Sequence, residues 1–195
     1  DGFVRDGILF ANAGMEGLFM LDVSDLENIH IIGSLTTYPD QDYNHAGWLN
    51  DDGDIYVFAD ERHGMALKVA DVSDPTDIDV LSTIHSGVDS NSIPHNVILK
   101  GDFAYISYYH DGLYIYDISD PETPVLWGYY DTYSPPDHSS YRGAWGVYPH
   151  LPSGLVLVSD MQYGLFVFEL NGMTAIENDE PAEQPLSAYP NPFDE

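Results

Sequence analysis

A unit of about 48 residues recurs four times along the chain, and this repeat constrains the fold more than any other feature. Each copy has a glycine followed by an apolar run, at Gly17, Gly64, Gly112 and Gly164. These glycines lie 47, 48 and 52 residues apart. A register kept over four copies of this period indicates stacked supersecondary units, each burying a face against the next, as in a β-propeller.

The sequence of each copy predicts β-strands. The segments that end at the four glycines align without a gap and read GILFANAGMEG, DIYVFADERHG, DFAYISYYHDG and GLVLVSDMQYG. Each is an apolar strand ending in a turn, and Asp111-Gly112 is a strong hairpin signal. A second strand follows each glycine. In the first three copies it ends at Ser-Asp, whose carboxylate accepts backbone hydrogen bonds, and a third strand comes after the turn.

Another apolar run precedes the core of the last three copies, at residues 45–51, 95–101 and, less clearly, 143–149. These runs predict a leading strand and therefore four strands in each unit. The first copy is predicted to lack its leading strand. No stretch shows convincing helical periodicity.

The pattern predicts an all-β fold, a β-propeller of four-stranded blades spanning residues 1–170. A β-sandwich is the alternative, which accounts for short strands but not for the kept register. Four copies can close a small ring, but we expect a C-terminal fragment of a larger propeller. Residues 171–186 are polar and acidic and predict a linker, and residues 187–195 begin a separate segment.

The charge balance limits the partners that such a protein can bind. The chain has 33 acidic and 5 basic residues, a formal net charge of −28, and no cysteine. Binding to phosphate backbones needs clustered Lys and Arg, so nucleic acid and anionic lipid are excluded. No apolar run approaches the roughly 20 residues of a membrane span. Cations, cationic partners and neutral glycans remain open, and so does a charge that serves only solubility.

Residues 8–170 resemble the LVIVD-repeat propellers of bacterial surface proteins, in particular the choice-of-anchor B family. The matching stretches are HAGWLNDDGDIYVFADE, HNVILKGDFAYISYYHDGLYIYDISDPETPVLWGYYDT and GAWGVYPHLPSGLVLVSDMQYGLFVF. The resemblance implies a propeller that is secreted or anchored at the outer cell surface. It implies no settled activity.

The tail resembles a second known element. The stretch YPNPF is similar to the opening of the C-terminal sorting domain of type IX secretion in Bacteroidetes-type bacteria. This resemblance implies contact with that secretion machinery and export across the outer membrane. Only the first residues of such a domain are present in the sequence, which departs from the family pattern.

Antiparallel pairing predicts that the beginning of the first strand and the end of the second lie on one rim of the propeller. Candidate functional side chains occur at these positions in several copies. The predicted metal ligands are His45, Asp60, Glu61, His95 and Asp160. The predicted contacts for another ligand are Tyr108, Tyr109, His110, Arg142 and Trp145. Asp111 and Tyr148 are expected at or near the same rim, and packing between blades is the alternative use of the aromatic side chains.

Histidine and carboxylate at a channel mouth can hold Zn²⁺ or another transition metal. The alternative is that His45 and His95 bond to the backbone of the neighbouring blade and stabilise its position. Calcium is a second possible cofactor, because acidic side chains cluster at residues 50–54. That cluster lacks the spacing of an EF-hand loop, so the sequence favours a solvated turn.

Catalytic signatures are sparse. There is no G-x-S-x-G stretch and no cysteine nucleophile. The sequence therefore favours a non-enzymatic binding or scaffold module whose partner is a surface protein or a glycan. The alternative is a metal-dependent hydrolase or lyase that uses His45, His95, Asp60 and Glu61. A structural module stabilised by Ca²⁺ is a third possibility.

Overall fold

The computed structural model describes residues 1–136 and 140–170, together with the backbone of residues 184–185 and 187–189. Regular structure within this described part consists of strands only. No helix there has the length and apolar character needed to cross a membrane. The strands form four consecutive antiparallel sheets, so the prediction of an all-β propeller of four-stranded blades is confirmed.

Each blade is a meander of consecutive strands. Blade 1 contains β1 (Gly2–Arg5), β2 (Ile8–Asn12), β3 (Leu18–Asp22) and β4 (His30–Leu35). Blade 2 contains β5 (Asn44–Leu49), β6 (Ile55–Asp60), β7 (Leu67–Asp71) and β8 (Asp79–Ile84). Blade 3 contains β9 (Asn96–Lys100), β10 (Phe103–Ser107), β11 (Leu113–Asp117) and β12 (Val125–Tyr130). Blade 4 begins with β13 (Ala144–Tyr148), β14 (Val156–Asp160) and β15 (Gly164–Glu169).

The first blade has its leading strand, so the prediction that the first copy lacks one was wrong. Strand β1 pairs antiparallel with β2 along its whole length. The connection is a tight turn in which Asp6 and Gly7 both have positive φ, at 52° and 78°. Two positive φ values are typical of a type I′ hairpin, which joins two strands with so few residues that they read as one run.

Two short strands come from the C-terminal part of the chain. Strand β16 (Gln184–Pro185) lies parallel to β12, and β17 (Ser187–Tyr189) pairs antiparallel with β15 as the fourth strand of blade 4. Apart from these backbone segments, the predicted linker, residues 171–186, and the predicted beginning of a sorting domain, residues 187–195, lie outside the described residues. The domain boundaries therefore remain predictions.

The core consists of apolar layers between consecutive blades. In β6, Tyr56 and Phe58 pack into the layer shared with blade 1, whereas Val57 and Ala59 pack into the layer shared with blade 3. Alternate residues of a strand point to opposite faces, so a strand in a middle blade is buried on both. This explains why the second strands read as almost continuous apolar runs.

The Ser-Asp turns on the opposite rim repeat one hydrogen-bonding arrangement. In blade 2, the carboxylate of Asp71 accepts a bond from the Ser73 amide, and the carboxylate of Asp74 accepts one from the Thr76 amide. Blades 1 and 3 have the same pair of turns. The predicted role of these aspartates as acceptors for the backbone is confirmed.

Gly112, which begins the second half of the blade 3 hairpin, is predicted to be intolerant of a side chain. Its φ is +89°, and a Cβ there would lie 2.7 Å from the Thr132 amide nitrogen and closer still to the Tyr130 carbonyl. Gly101 is a matched control, because its φ is +55° and a Cβ would meet nothing within 4 Å. We expect Gly112→Ala to lower the free energy of unfolding by about 3 kcal/mol and Gly101→Ala by about 1 kcal/mol. Urea denaturation measures both; equal losses would contradict the prediction.

Candidate functional site

Three side chains occupy the same structural position in three successive blades. His45 lies in β5, His95 directly precedes β9, and Trp145 lies in β13. The residue after each of them pairs with an equivalent residue of the second strand of its blade. These pairs are Ala46 with Ala59, Asn96 with Ser107, and Gly146 with Ser159. Because consecutive blades place their innermost strands around a common axis, these three side chains meet at one rim.

Two of the three residues are presented by β-bulges. In β5, Asn44 pairs with Asp60 and Ala46 pairs with Ala59, which are adjacent residues of β6. His45 is therefore the extra residue of the bulge. Strand β13 skips Trp145 in the same way. A bulge re-aims one side chain without ending the strand, which frees both rings from the alternation of the sheet.

The rings at this rim form a continuous row, which we call the aromatic row and define as Tyr43, His45, His95 and Trp145. The centroids of successive rings are 6.4, 4.8 and 5.2 Å apart, with interplanar angles of 20°, 28° and 32°. The two ends of the row face solvent, since Tyr43 is 41% exposed and Trp145 is 51% exposed. The row therefore presents two open rings at its ends and two imidazoles between them, of which His45 is half-buried and His95 is buried.

Glu61 follows β6 and faces both imidazoles. Its Oε2 atom is 3.5 Å from Nδ1 of His45, and its Oε1 atom is 3.8 Å from Nε2 of His95. Tyr109, which occupies the equivalent position in blade 3, donates a hydrogen bond of 2.6 Å from its hydroxyl to Oε1. The carboxylate is thereby held in place between two blades.

His95 is almost fully enclosed, with 3% of its surface exposed. Its Nδ1 atom contacts the backbone carbonyl oxygen of Trp145 in the next blade. A carbonyl accepts hydrogen bonds and cannot donate them, so this contact places the proton on Nδ1 and a lone pair on Nε2. One nitrogen of His95 therefore bonds to neighbouring backbone, as the structural alternative expects, while the other faces Glu61.

Burial sets the protonation of this cluster. It lowers the pKa of His95 to about 4, against an opposing attraction from Glu61. Burial also lowers the pKa of His45, and the carboxylate again opposes the shift. Both imidazoles are therefore neutral near pH 7. Burial and the hydrogen bond to Glu61 raise the pKa of the Tyr109 hydroxyl, which stays protonated and remains a donor.

The structure brings together three of the five predicted metal ligands. One possible ligand atom from each of His45, Glu61 and His95 lies within 4.8 Å of the other two. Asp60 and Asp160 lie outside this cluster, although each ends the second strand of its blade. The strand periodicity turns Asp60 away from its neighbour Glu61.

Asp60 belongs to a buried ion pair instead. Nζ of Lys68 is 2.7 Å from its Oδ2 atom, and neither side chain has exposed surface. The other oxygen, Oδ1, accepts hydrogen bonds from the Tyr38 hydroxyl and the Asp42 amide. Lys68 also donates to two backbone carbonyl groups. These contacts give Asp60 a structural role.

Asp160 closes the corresponding turn in blade 4. Its Oδ1 atom accepts hydrogen bonds from the amides of Gln162 and Tyr163, and its Oδ2 atom accepts one from the Thr132 hydroxyl. One carboxylate oxygen is thus engaged within blade 4, and the other bonds to the segment that follows β12 of blade 3.

The five predicted contacts for another ligand differ in exposure. Trp145 and Arg142 are exposed, whereas Tyr108, Tyr109 and His110 are buried. The Tyr108 side chain borders a separate cavity of about 460 Å³ beside the loop of residues 85–92. Trp145 contacts His95 directly and Tyr109 acts through Glu61, whereas Arg142 donates a hydrogen bond to the Tyr133 hydroxyl at 3.4 Å.

Tyr148 lies away from this rim. It is the last residue of β13, whereas Trp145 is near the beginning of that strand. Its ring packs against His150, 6.0 Å between centroids. The expectation that Tyr148 is near the rim was wrong, because three residues of extended strand cover roughly 10 Å.

The acidic segment at residues 50–54 forms a turn stabilised by its own side chains. Oδ1 of Asn50 accepts hydrogen bonds from the amides of Gly53, Asp54 and Ile55. Its Nδ2 atom donates to the Asp54 carboxylate. This is the arrangement that the solvated-turn alternative describes.

Sequence reasoning missed two residues that matter at this rim. Tyr43 extends the aromatic row, and its position two residues before His45 was the available signal. Tyr141 packs edge-on against Tyr109, with 5.4 Å between ring centroids, and no pattern in the sequence indicated that contact. Lys68 was also missed, although a single lysine in the apolar run MALKVAD indicates a buried partner.

The fold and rim define an all-β propeller module, and comparison with known proteins agrees. Residues 94–132, which contain the whole of blade 3, match the model of the LVIVD repeat. No curated protein matches the chain. The crystal structure of the computationally designed Ika8 protein is similar, with a TM-score of 0.58 and 14% identity over 86% of this chain. This chain spans 44% of that protein, so the likeness shows the fold alone.

Removing Lys68 is predicted to destabilise the fold. We expect Lys68→Met to lower the free energy of unfolding by about 3 kcal/mol, because the Asp60 carboxylate is left buried without its counter-charge. Adding Asp60→Asn removes that charge, so the double variant regains a large part of the loss. Urea denaturation of the three proteins provides the measurement. A double variant no more stable than Lys68→Met would refute the ion-pair explanation.

The low pKa of His95 predicts a loss of stability in mild acid. Its pKa of about 4 in the folded state lies below the ordinary value, so the unfolded chain takes up a proton first as the pH falls. When the pH falls from 7 to 5, we expect the free energy of unfolding of the native protein to decrease by about 2 kcal/mol more than that of a His95→Gln variant. Denaturation curves at both values test this; parallel losses in the two proteins would show that His95 titrates normally.

Proposed function

We propose that this protein is a non-enzymatic propeller module that binds a ligand on the aromatic row. The observation that supports this most strongly is the row itself, four rings in successive contact along the rim with both ends open to solvent. Large aromatic side chains held by packing are the usual anchors of a binding surface, because they bury much area and lose little conformational freedom.

A neutral glycan suits this surface best. Aromatic rings carry a negative face, which attracts the slightly positive C–H groups of a sugar ring. The Glu61 carboxylate beside the row is an acceptor for sugar hydroxyls. At the Tyr43 end, Arg62 pairs with Asp42 at 3.3 Å and supplies donors for the same hydroxyls. The net charge of −28 repels anionic ligands over the whole surface. An uncharged, hydroxyl-rich ligand is not repelled by this charge.

The location of the protein is part of the proposal. We infer that it acts as a secreted protein or at the outer cell surface of a Bacteroidetes-type bacterium, exported by the type IX machinery. The support is the resemblance to choice-of-anchor B propellers and the YPNPF tail. A surface protein that meets extracellular polysaccharide has a use for a glycan-binding rim.

A metal-dependent hydrolase or lyase is the second candidate function. The observation in its favour is the convergence of two imidazoles and a carboxylate at the same rim. The buried ion pair with Lys68 removes Asp60 from the residues available to such an enzyme. Mass analysis of a glycan recovered after incubation separates the two functions, since a binding module returns it uncleaved.

Glycan binding is tested with an array of neutral and sialylated oligosaccharides. We expect binding to neutral members, and a loss of at least about tenfold in Trp145→Ala, because the most exposed ring of the row is removed. Tyr148→Ala is the matched control, since Tyr148 is 46% exposed on the same strand but lies outside the row. Binding that survives Trp145→Ala, or that selects sialylated glycans, would reject the proposal.

A further inference from the structure

We propose that His45, Glu61 and His95 form a binding site for a divalent transition metal of the Zn²⁺ type. The inference goes beyond glycan binding and does not depend on it. It rests on three features of the described residues: the separations of the ligand atoms, the groups that orient them, and the charge around them.

The separations are close to those of a metal site. Ligands about 2.05 Å from a tetrahedral zinc ion lie about 3.4 Å from one another. The two contacts of Glu61, at 3.5 Å to His45 Nδ1 and 3.8 Å to His95 Nε2, are within about half an ångström of that value. All three ligand atoms lie within 4.8 Å of one another, so small rotations of the side chains complete the set. Glu61 lies between the two imidazoles and can bind the ion together with either or both.

The surrounding groups orient each ligand in the state that a metal needs. The Trp145 carbonyl accepts the Nδ1 proton of His95, which directs the Nε2 lone pair into the cluster. The Tyr109 hydroxyl donates to one oxygen of Glu61 and leaves acceptor capacity on the carboxylate. At the outer side of His45, Nε2 is 3.8 Å from a carboxylate oxygen of Asp1. The carbonyl on His95 and the hydroxyl on Glu61 are partners of the kind that orient ligands in metal sites, whereas Asp1 lies beyond hydrogen-bond distance of His45.

The cluster has a reason to attract a cation. Without one, the Nε2 lone pair of His95 points at a carboxylate oxygen in an enclosed setting, an arrangement in which two acceptors face each other. A divalent ion between them replaces this repulsion with two bonds. The surplus of 28 negative charges raises the local concentration of cations around the whole molecule.

The donor set selects the class of ion. Two imidazoles and one carboxylate match the His₂Glu ligand set of zinc and suit Ni²⁺ and Cu²⁺ as well. Calcium requires six to eight oxygen ligands, which one carboxylate cannot supply. Three protein ligands leave at least one position for water or for an oxygen or nitrogen of an incoming ligand.

The experiment is a titration of the full chain, stripped with a chelator, with ZnCl₂ in a calorimeter. High salt and excess Ca²⁺ occupy the acidic surface and suppress non-specific binding. We expect one Zn²⁺ per chain. His95→Gln and His45→Gln should each lower the affinity for Zn²⁺ by at least about tenfold. Glu61→Gln, which keeps the shape of the side chain, should do the same. Circular dichroism and the melting temperature establish that each variant is folded.

Two controls make the result decisive. His63→Gln removes a histidine between β6 and β7 whose ring packs against Tyr141 and which lies outside the cluster, so it should leave zinc affinity unchanged. Co²⁺ in place of Zn²⁺ should show the intense visible absorption of a four-coordinate site, lost in Glu61→Gln. Zinc binding that is weak, displaced by Ca²⁺, or equal in folded His45→Gln and His95→Gln variants would overturn the proposal. If zinc binding fails but glycan binding is retained, the proposed function is still supported. If glycan binding fails but zinc binding is retained, the metal site is still supported.

Discussion

The burial of both faces of the middle sheets is the constraint on which the rest of the structure depends. Alternate residues of β6 pack in opposite directions, Tyr56 toward blade 1 and Val57 toward blade 3. A sheet of this kind has no face left for solvent, so it is stable only between two others. The packing fixes the order of the blades and aligns their innermost strands side by side. Every contact at the rim follows from that alignment.

A polar chain through the layer between blades 1 and 2 reinforces the alignment. The Tyr56 hydroxyl donates to Asn12, which donates to Asn44, which donates to the Tyr38 hydroxyl. The Tyr38 hydroxyl in turn donates to the carboxylate of Asp60, which Lys68 neutralises. Buried polar groups that are fully paired specify one arrangement of their surroundings, because any shift leaves a donor or acceptor unsatisfied. The chain therefore holds the end of β6 in register, and Glu61 is the residue that follows.

Much of the fold could be predicted because the repeat carries redundant information. Four copies of a glycine, an apolar run and a turn reveal the blades even where one copy is irregular. His45, His95 and Glu61 were predicted for the same reason, since equivalent positions in a propeller lie around one axis. Asp60 and Asp160 were placed with them only by register along the strand. Neighbouring residues at the end of a strand point in opposite directions, so a position at that rim does not by itself bring a side chain to the cluster. The structure gives both carboxylates other partners.

The sequence by itself determined the class of fold and placed His45, His95 and Glu61 at one rim, because both depend on period and strand direction, which are properties of the chain read in order. Only the tertiary structure decided which of those residues meet. The bulge at His45 is a local departure from the regular strand pairing. The other features are contacts between residues 16 to 50 positions apart: Glu61 with His45, the Tyr109 hydroxyl with Glu61, and the Trp145 carbonyl with His95. Such contacts depend on how one sheet sits against the next, and that is fixed by the packing of whole faces rather than by any single stretch of residues.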